Sequence, residues 1–190
     1  MNHIEQKIKK AIKTKILRYH YSKETSFVID ELPLNKGKSR IDIAIFSNYF
    51  HGLEIKSNKD TLYRLKDQIQ IYNQIFEKID LIVGYKHFFN SISLIPDWWG
   101  IKIYDEGKYG AIHFSEARRG KINKSINKYH FSQLFLKNEI IEILTNNKIH
   151  FDKTECKKIL IEILVSNIDF CSLKYYLKKY LSLRKVHLFD

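Results

Sequence analysis

The chain has 190 residues, with 33 Lys and Arg against 21 Asp and Glu and a formal net charge of +12. Apolar side chains make up 44% and aromatic ones 14%, with only seven Gly and two Pro, which excludes disordered, linker-like and collagen-like chains. No run approaches the roughly 20 apolar residues of a membrane span, and residues 1–18 hold no apolar signal core, so the expectation is a soluble cytoplasmic protein of one domain with an appendage.

Ile4, Ile8, Ala11, Ile12 and Ile16 recur at helical spacing and predict an amphipathic helix over residues 2–18. Its other face carries Lys7, Lys9, Lys10, Lys13, Lys15 and Arg18. Residues 26–32 read as a strand, Asn35-Lys36-Gly37-Lys38 as a turn, 40–46 as a second strand and 49–56 as a third. Strands joined this closely form an antiparallel meander. Asp60 is expected to cap a helix over 61–78. Asp80 to Tyr85 is an apolar run after a helix, the pattern of a buried strand parallel to the one before the helix. A helix over 87–94, a turn at Pro96-Asp97-Trp98-Trp99-Gly100, and edge strands at 101–104 and 110–114 follow. Residues 118–128 read as a basic linker or mobile loop, and helices are expected over 131–146, 153–166 and 170–185.

Residues two apart on a strand share a face at roughly 6–7 Å. Glu54 and Lys56 therefore project together, and the preceding antiparallel strand can bring Asp42 beside Glu54, about 5 Å away. Asp42 interrupts the apolar run Ile41, Ile43, Ala44, Ile45. A buried acid is costly unless it is paired or metal-bound. Two carboxylates plus the Ile55 carbonyl make a hard-oxygen site suited to Mg²⁺ or Mn²⁺. Such an ion acidifies a bound water and neutralises phosphate charge, while Lys56 can orient the water or stabilise the transition state. Glu-x-Lys triplets also occur at Glu5/Lys7, Glu106/Lys108 and Glu155/Lys157, but only Glu54/Lys56 lies on a strand directly after one that carries an acid.

Helix, strand, strand with Asp42, strand with Glu54-Ile55-Lys56, helix, strand resembles the core of the PD-(D/E)XK nuclease superfamily over about residues 1–114, with Ile41 where the superfamily often has Pro. Asp30-Glu31-Leu32, Arg40 to Ala44, His51 to Ser57, Asp60-Thr61-Leu62, Pro96 to Gly100 and Ala117-Arg118-Arg119 look more closely like a family of small bacterial nuclease-like proteins, which brings no substrate with it. The resemblance implies an α/β, restriction-endonuclease-like core: helix, mixed β-sheet with an antiparallel meander, and crossover helix. That core would span 1–116, followed by a basic segment 117–129 and an α-helical C-terminal extension 130–190.

The same resemblance implies a metal-dependent nuclease leaving 5′-phosphate ends, with Asp42, Glu54 and Lys56 catalytic and Asp42, Glu54 and Ile55 holding Mg²⁺ or Mn²⁺. Gln68 and Tyr72, one turn apart, resemble a signature of the exonuclease-like branch that supports the metal or holds DNA; alone they read as a surface Gln beside a core Tyr. Glu5 resembles an auxiliary acid, or is an ordinary first-turn acid. Glu31 is a further acid, or a partner for Arg40.

The surplus of basic side chains favours a nucleic-acid partner. Lys outnumbers Arg 27 to 6, which argues for backbone attraction over base reading. Lys59, Arg118, Arg119 and Lys121, with the basic face of the first helix, are the expected contacts. Trp98 and Trp99 read as a core edge, His51 as structural, and Cys156 and Cys171 as buried reduced thiols. The C-terminal helices could dock DNA or form a homodimer surface. The leading expectation is a deoxyribonuclease of DNA repair, restriction or phage defence. The alternatives are a non-catalytic DNA-binding module on the same fold and a ribonuclease or toxin-like effector.

Overall fold

The structure, a computed structural model, describes residues 3–23 and 25–186. It is a mixed α/β fold with six strands: β1 (Phe27–Leu34), β2 (Ser39–Phe46), β3 (Phe50–Lys56), β4 (Lys78–Gly84), β5 (Gly100–Glu106) and β6 (Ile112–Arg118). They form one sheet in chain order. β1, β2 and β3 are antiparallel neighbours, β3, β4 and β5 run parallel, and β6 returns antiparallel. The predicted meander and the parallel strand after the crossover are both present. The described helices are α1 (His3–Ala11), α2 (Arg18–Tyr21), α3 (Leu65–Ile75), α4 (Tyr85–Ile92), α5 (Lys128–Ser132), α6 (Lys137–Asn146), α7 (Lys157–Asn167) and α8 (Phe170–Val186). None is long and apolar enough to cross a membrane.

The sheet is covered on both faces, which is why its inner strands read as continuous apolar runs. On one face Ile8 and Ile12 pack with Ile43, Ile45, Leu53, Ile55 and Ile82. On the other, Leu65, Ile69 and Tyr72 of α3 pack with Ile41, Ala44, Phe46, Leu81 and Val83, and the same cluster continues through Phe131, Ile140, Leu160, Leu173 and Leu177 of the C-terminal helices. Gly52 lets this layer close: a Cβ there would meet Ile41 Cδ1 at 3.2 Å and Phe76 Cδ1 at 3.3 Å.

Several boundaries differ from the expectation, each for a local reason. The first helix is interrupted by a π turn at Ile12–Ile16, where Leu17 N–H donates to Ile12 O at 2.9 Å, and its expected start at Asn2 lies outside the described residues. Asp60 does not cap α3. Its carboxylate accepts from Ser57 N–H at 2.6 Å, closing the turn after β3, and the helix begins only at Leu65. The helix expected over 131–146 is two: Leu136 is extended, and Glu139 returns to cap α6 by accepting from Leu136 N–H at 2.7 Å.

Cys156 and Cys171 are free but exposed, not buried. Cys156 stands before the first turn of α7, and Cys171 lies off the stripe Leu173, Leu177, Leu181 that α8 buries. Residues 119–127 have no regular structure, yet Asn123 is buried there against the end of α3.

Candidate functional site

Where β2 and β3 part, a cleft of about 750 Å³ opens. The ladder between the two strands ends at Ile43 opposite Leu53. Beyond it, Ile55 N–H donates to Asp42 Oδ2 at 2.8 Å. The carboxylate thus takes the place of a backbone partner, and the acid that interrupts β2 sits wedged between the strands. One step on in the same register stands Glu54, so the two carboxylates are neighbours at the point of divergence, as the strand alternation predicts.

Glu54 and Lys56 are both buried, and Lys56 Nζ stands 2.6 Å from Glu54 Oε1. α3 places two side chains over them. Gln68 Oε1 accepts from Lys56 Nζ at 3.0 Å, and Gln68 Nε2 donates to Tyr72 OH at 3.1 Å. The Tyr72 hydroxyl lies 2.9 Å from Glu54 Oε2 and 2.8 Å from Arg40 O. Burial and the Glu54 charge raise the phenol pKa well above its ordinary range, so it stays a donor. Gln68 and Tyr72 therefore fix the rotamers of Lys56 and Glu54, and Tyr72 also ties the start of β2 to β3.

The second half of the cleft comes from β1 and α1. Glu31 has a φ of 57°, a left-handed conformation uncommon outside glycine, and it lies between the paired residues Asp30 and Leu32. Arg40 Nε holds Glu31 Oε2 at 2.6 Å. Glu5 reaches in from α1, and Glu5, Glu31 and Asp42 each offer an oxygen within 4.8 Å of the others. Among them sits Lys9, its Nζ 3.1 Å from Glu5 Oε1 and 3.4 Å from Asp42 Oδ1, and in contact with Glu31 Oε1. Lys9 titrates above the ordinary lysine range: burial opposes its charge, but Glu31, Asp42 and Glu5 outweigh that. Asp42 is pushed up to about 7, by burial first and by the Glu54 charge second, against the Ile55 N–H bond and the charges of Lys9 and Lys56.

The donors around Asp42 and Glu54, with the Ile55 carbonyl, are all oxygens. That donor set suits Mg²⁺ or Mn²⁺, and a buried acid beside a second acid is one whose charge a divalent cation would relieve.

The cleft gathers Glu5, Glu31, Arg40, Asp42, Glu54, Ile55, Lys56 and Gln68, all expected from the sequence, together with Lys38, Asp60, Arg64 and Asp67. Helical periodicity puts Lys9 on the outward basic face of α1, but the structure turns it inward onto Glu5, four residues before it. Arg64 lies one turn before Gln68 on the same side of the chain entering α3.

Other candidates are elsewhere. Lys59 is exposed in the turn after β3. Arg118 donates from Nε to Trp99 O at 2.8 Å and from Nη2 to Pro96 O at 2.9 Å, so its guanidinium clamps a turn. Arg119 and Lys121 are exposed, and none of Arg118, Arg119 and Lys121 lines the cleft. His51 Nε2 faces Asp80 Oδ2 at 3.4 Å, away from the acids. Trp99 is fully buried and donates to Asn73 Oδ1 at 2.9 Å, with Trp98 edge-on beside it.

A family model described as Bacteriophage P4 protein cII matches residues 1–188. Protein cII of Enterobacteria phage P4 is 24% identical over 136 residues, which are 70% of this chain and 51% of that protein. The chain thus aligns with about half the length of that relative. Two solved structures are similar at low TM-score. A protein of unknown function from Silicibacter pomeroyi is 16% identical with a TM-score of 0.40, over 71% of this chain and 87% of that one. SfsA of Pyrococcus furiosus, in complex with Ca²⁺, is 14% identical with a TM-score of 0.38, over 60% of this chain and 63% of that one.

Proposed function

Since the chain belongs to the Bacteriophage P4 protein cII family, a name that states no reaction, we propose its function from its own residues: it is a divalent-metal-dependent nuclease with a restriction-endonuclease-like core, acting on DNA. The observation that carries this reading is the wedge of Asp42 between β2 and β3 beside Glu54, with Lys56 held 2.6 Å from that second acid.

Asp42, Glu54 and the Ile55 carbonyl are the residues that would hold Mg²⁺ or Mn²⁺. The ion supplies acidification of water and neutralisation of phosphate charge. The chain's own groups do the rest. Tyr72 keeps the Glu54 carboxylate oriented, and Gln68 keeps Lys56 aimed along the cleft. Lys56 donates to the attacking water or to a non-bridging phosphate oxygen as charge builds there. Water oxygen bonds to phosphorus, the bond from phosphorus to the 3′-oxygen breaks, and that oxygen takes up a proton, leaving a 5′-phosphate and a 3′-hydroxyl. Lys38 and Arg64 at the cleft mouth suit the flanking phosphates.

The test is cleavage of plasmid, linear DNA and RNA in Mg²⁺, Mn²⁺ and EDTA, on wild type and Lys56→Ala. The expected result is metal-dependent DNA cleavage that drops by about a hundredfold to a thousandfold in the variant. DNA affinity should stay within a few-fold, because an interaction made chiefly in the transition state leaves ground-state binding intact. Cleavage that persists unchanged in Lys56→Ala overturns the assignment. Cleavage of RNA alone would move the substrate class.

A further inference from the structure

Lys9 stands among the acids that line the cleft, and the nuclease reading gives it no task. It arises from the last turn of α1, is buried, and touches Glu5, Glu31 and Asp42 together. The oxygens of those acids lie within 4.8 Å of one another. Ligands on opposite sides of a Mg²⁺ or Ca²⁺ ion stand roughly 4–5 Å apart, so the three acids enclose a space the size of a coordinated divalent cation. The ammonium of Lys9 already fills it.

Its neighbours fix this arrangement. Ile8 and Ile12, on either side of Lys9, are fully buried in the core beneath the sheet, so α1 cannot draw back without exposing them. Glu31 holds a left-handed backbone conformation and is pinned from its other oxygen by Arg40 at 2.6 Å. A divalent ion entering among the three acids would have to strip the ammonium of its partners and leave two cations side by side in a buried place. Only Asp42 is shared between this position and the one formed with Glu54 and Ile55.

We propose that Lys9 is an internal counter-ion that closes a second metal position, so that the cleft takes one divalent ion, between Asp42, Glu54 and Ile55, and not two. The inference rests on the metal-binding reading above. Lys9 and Arg40 together keep Glu5 and Glu31 neutralised throughout turnover, and the catalytic charge of the site is one divalent ion plus Lys56.

The test is Mn²⁺ stoichiometry on the full chain, by calorimetric titration and by electron paramagnetic resonance of the ion, for wild type, Lys9→Met and Lys9→Met/Glu31→Gln. Lys9→Gln runs beside them, because it keeps a donor to the acids without the charge should Lys9→Met fail to fold, as judged by circular dichroism. One Mn²⁺ in wild type, two in the uncharged Lys9 variants and one again when Glu31 is also changed is the expected result. Two ions in wild type, or one in a folded Lys9→Met and Lys9→Gln, overturns it. No Mn²⁺ in wild type but one in Lys9→Met, lost with Glu31→Gln, upholds the closure by Lys9 and removes the Asp42–Glu54 metal site. No Mn²⁺ in any variant removes both.

Discussion

Asp42 carries its charge in a place that resists one. Burial and the Glu54 charge raise its pKa from the ordinary 3.8 to about 7. A carboxylate with a raised pKa binds its proton more tightly in the folded chain than in the unfolded one. The resulting penalty is absent below about pH 4, grows as pH rises toward 7, and is complete above it. Metal-free wild type should therefore lose thermal stability between about pH 5 and pH 8 by more than Asp42→Asn does. At about pH 8 the variant should melt at or above wild type, since Asn can still accept from Ile55 N–H. Mn²⁺ should raise the melting temperature of wild type there and not that of the variant, as mass action on one site requires. Parallel melting-versus-pH curves for the two proteins would show that Asp42 is not the strained group. The position of this acid was legible, because an Asp within an apolar strand needs a partner, and the alternation of β3 puts Glu54 and Lys56 on one face. Lys9 was not legible as part of the cleft. Six basic residues crowd the first helix, and helical periodicity gives a face but not what lies opposite it.

At the scale of elements, α3 is the part that holds Gln68 and Tyr72 in register with β3, and its C-terminal end is secured from far along the chain. Asn123 Nδ2 donates to Asn73 O at 2.7 Å and to Phe76 O at 3.1 Å, and Asn123 N–H donates to Glu77 O at 2.9 Å. The last carbonyls of a helix have no partner within it, so a buried amide that satisfies Asn73 O in the last turn and Phe76 O just past it caps α3 from a distant part of the chain. Asn123→Ala should lower stability by about 1–3 kcal/mol in urea unfolding, the usual cost of stranding buried polar groups. Mn²⁺ affinity should be unchanged, since the Gln68–Tyr72 turn lies upstream of the lost bonds. A variant as stable as wild type would mean that water serves those carbonyls equally well. Nothing in 118–128 announced this role. The stretch is basic and without periodicity, and a side chain that caps a helix about fifty residues away leaves no local pattern. For the same reason Arg118 suggested a phosphate contact until its guanidinium was seen to bind Trp99 O and Pro96 O. The meander and crossover strand were readable because turn residues and apolar runs are local signals.

Across the whole molecule, the count of 33 basic side chains overstates the cations free to meet a polyanion. Lys7 pairs with Glu106, Lys13 with Asp30, Lys102 with Glu116, Lys174 with Glu77 and Arg184 with Glu139, so several basic residues are already engaged within the fold. The first helix, which sequence alone offers as a DNA-binding face, has Lys7, Lys9 and Lys13 occupied in this way. With Arg40 held by Glu31, the cations left at the cleft mouth are Lys38 and Arg64, with Lys59 exposed on the adjoining turn. A duplex whose phosphates meet these three should release about three counter-ions, giving a slope of about −3 in log affinity against log salt. Lys38→Ala/Arg64→Ala should flatten that slope by about 2 and weaken binding to all duplex sequences alike, because phosphate contacts position and do not read bases. Arg119→Ala/Lys121→Ala, a pair away from the cleft, should leave the slope as it is. Fluorescence anisotropy of a labelled duplex in EDTA, from low to moderate salt, measures all three proteins without interference from cleavage. A wild-type slope near zero would argue against a polyanion altogether. A slope that falls in the Arg119/Lys121 pair and not in the Lys38/Arg64 pair would place the nucleic acid on the opposite end of the sheet, out of reach of Asp42 and Glu54, and would leave the cleft to a smaller substrate.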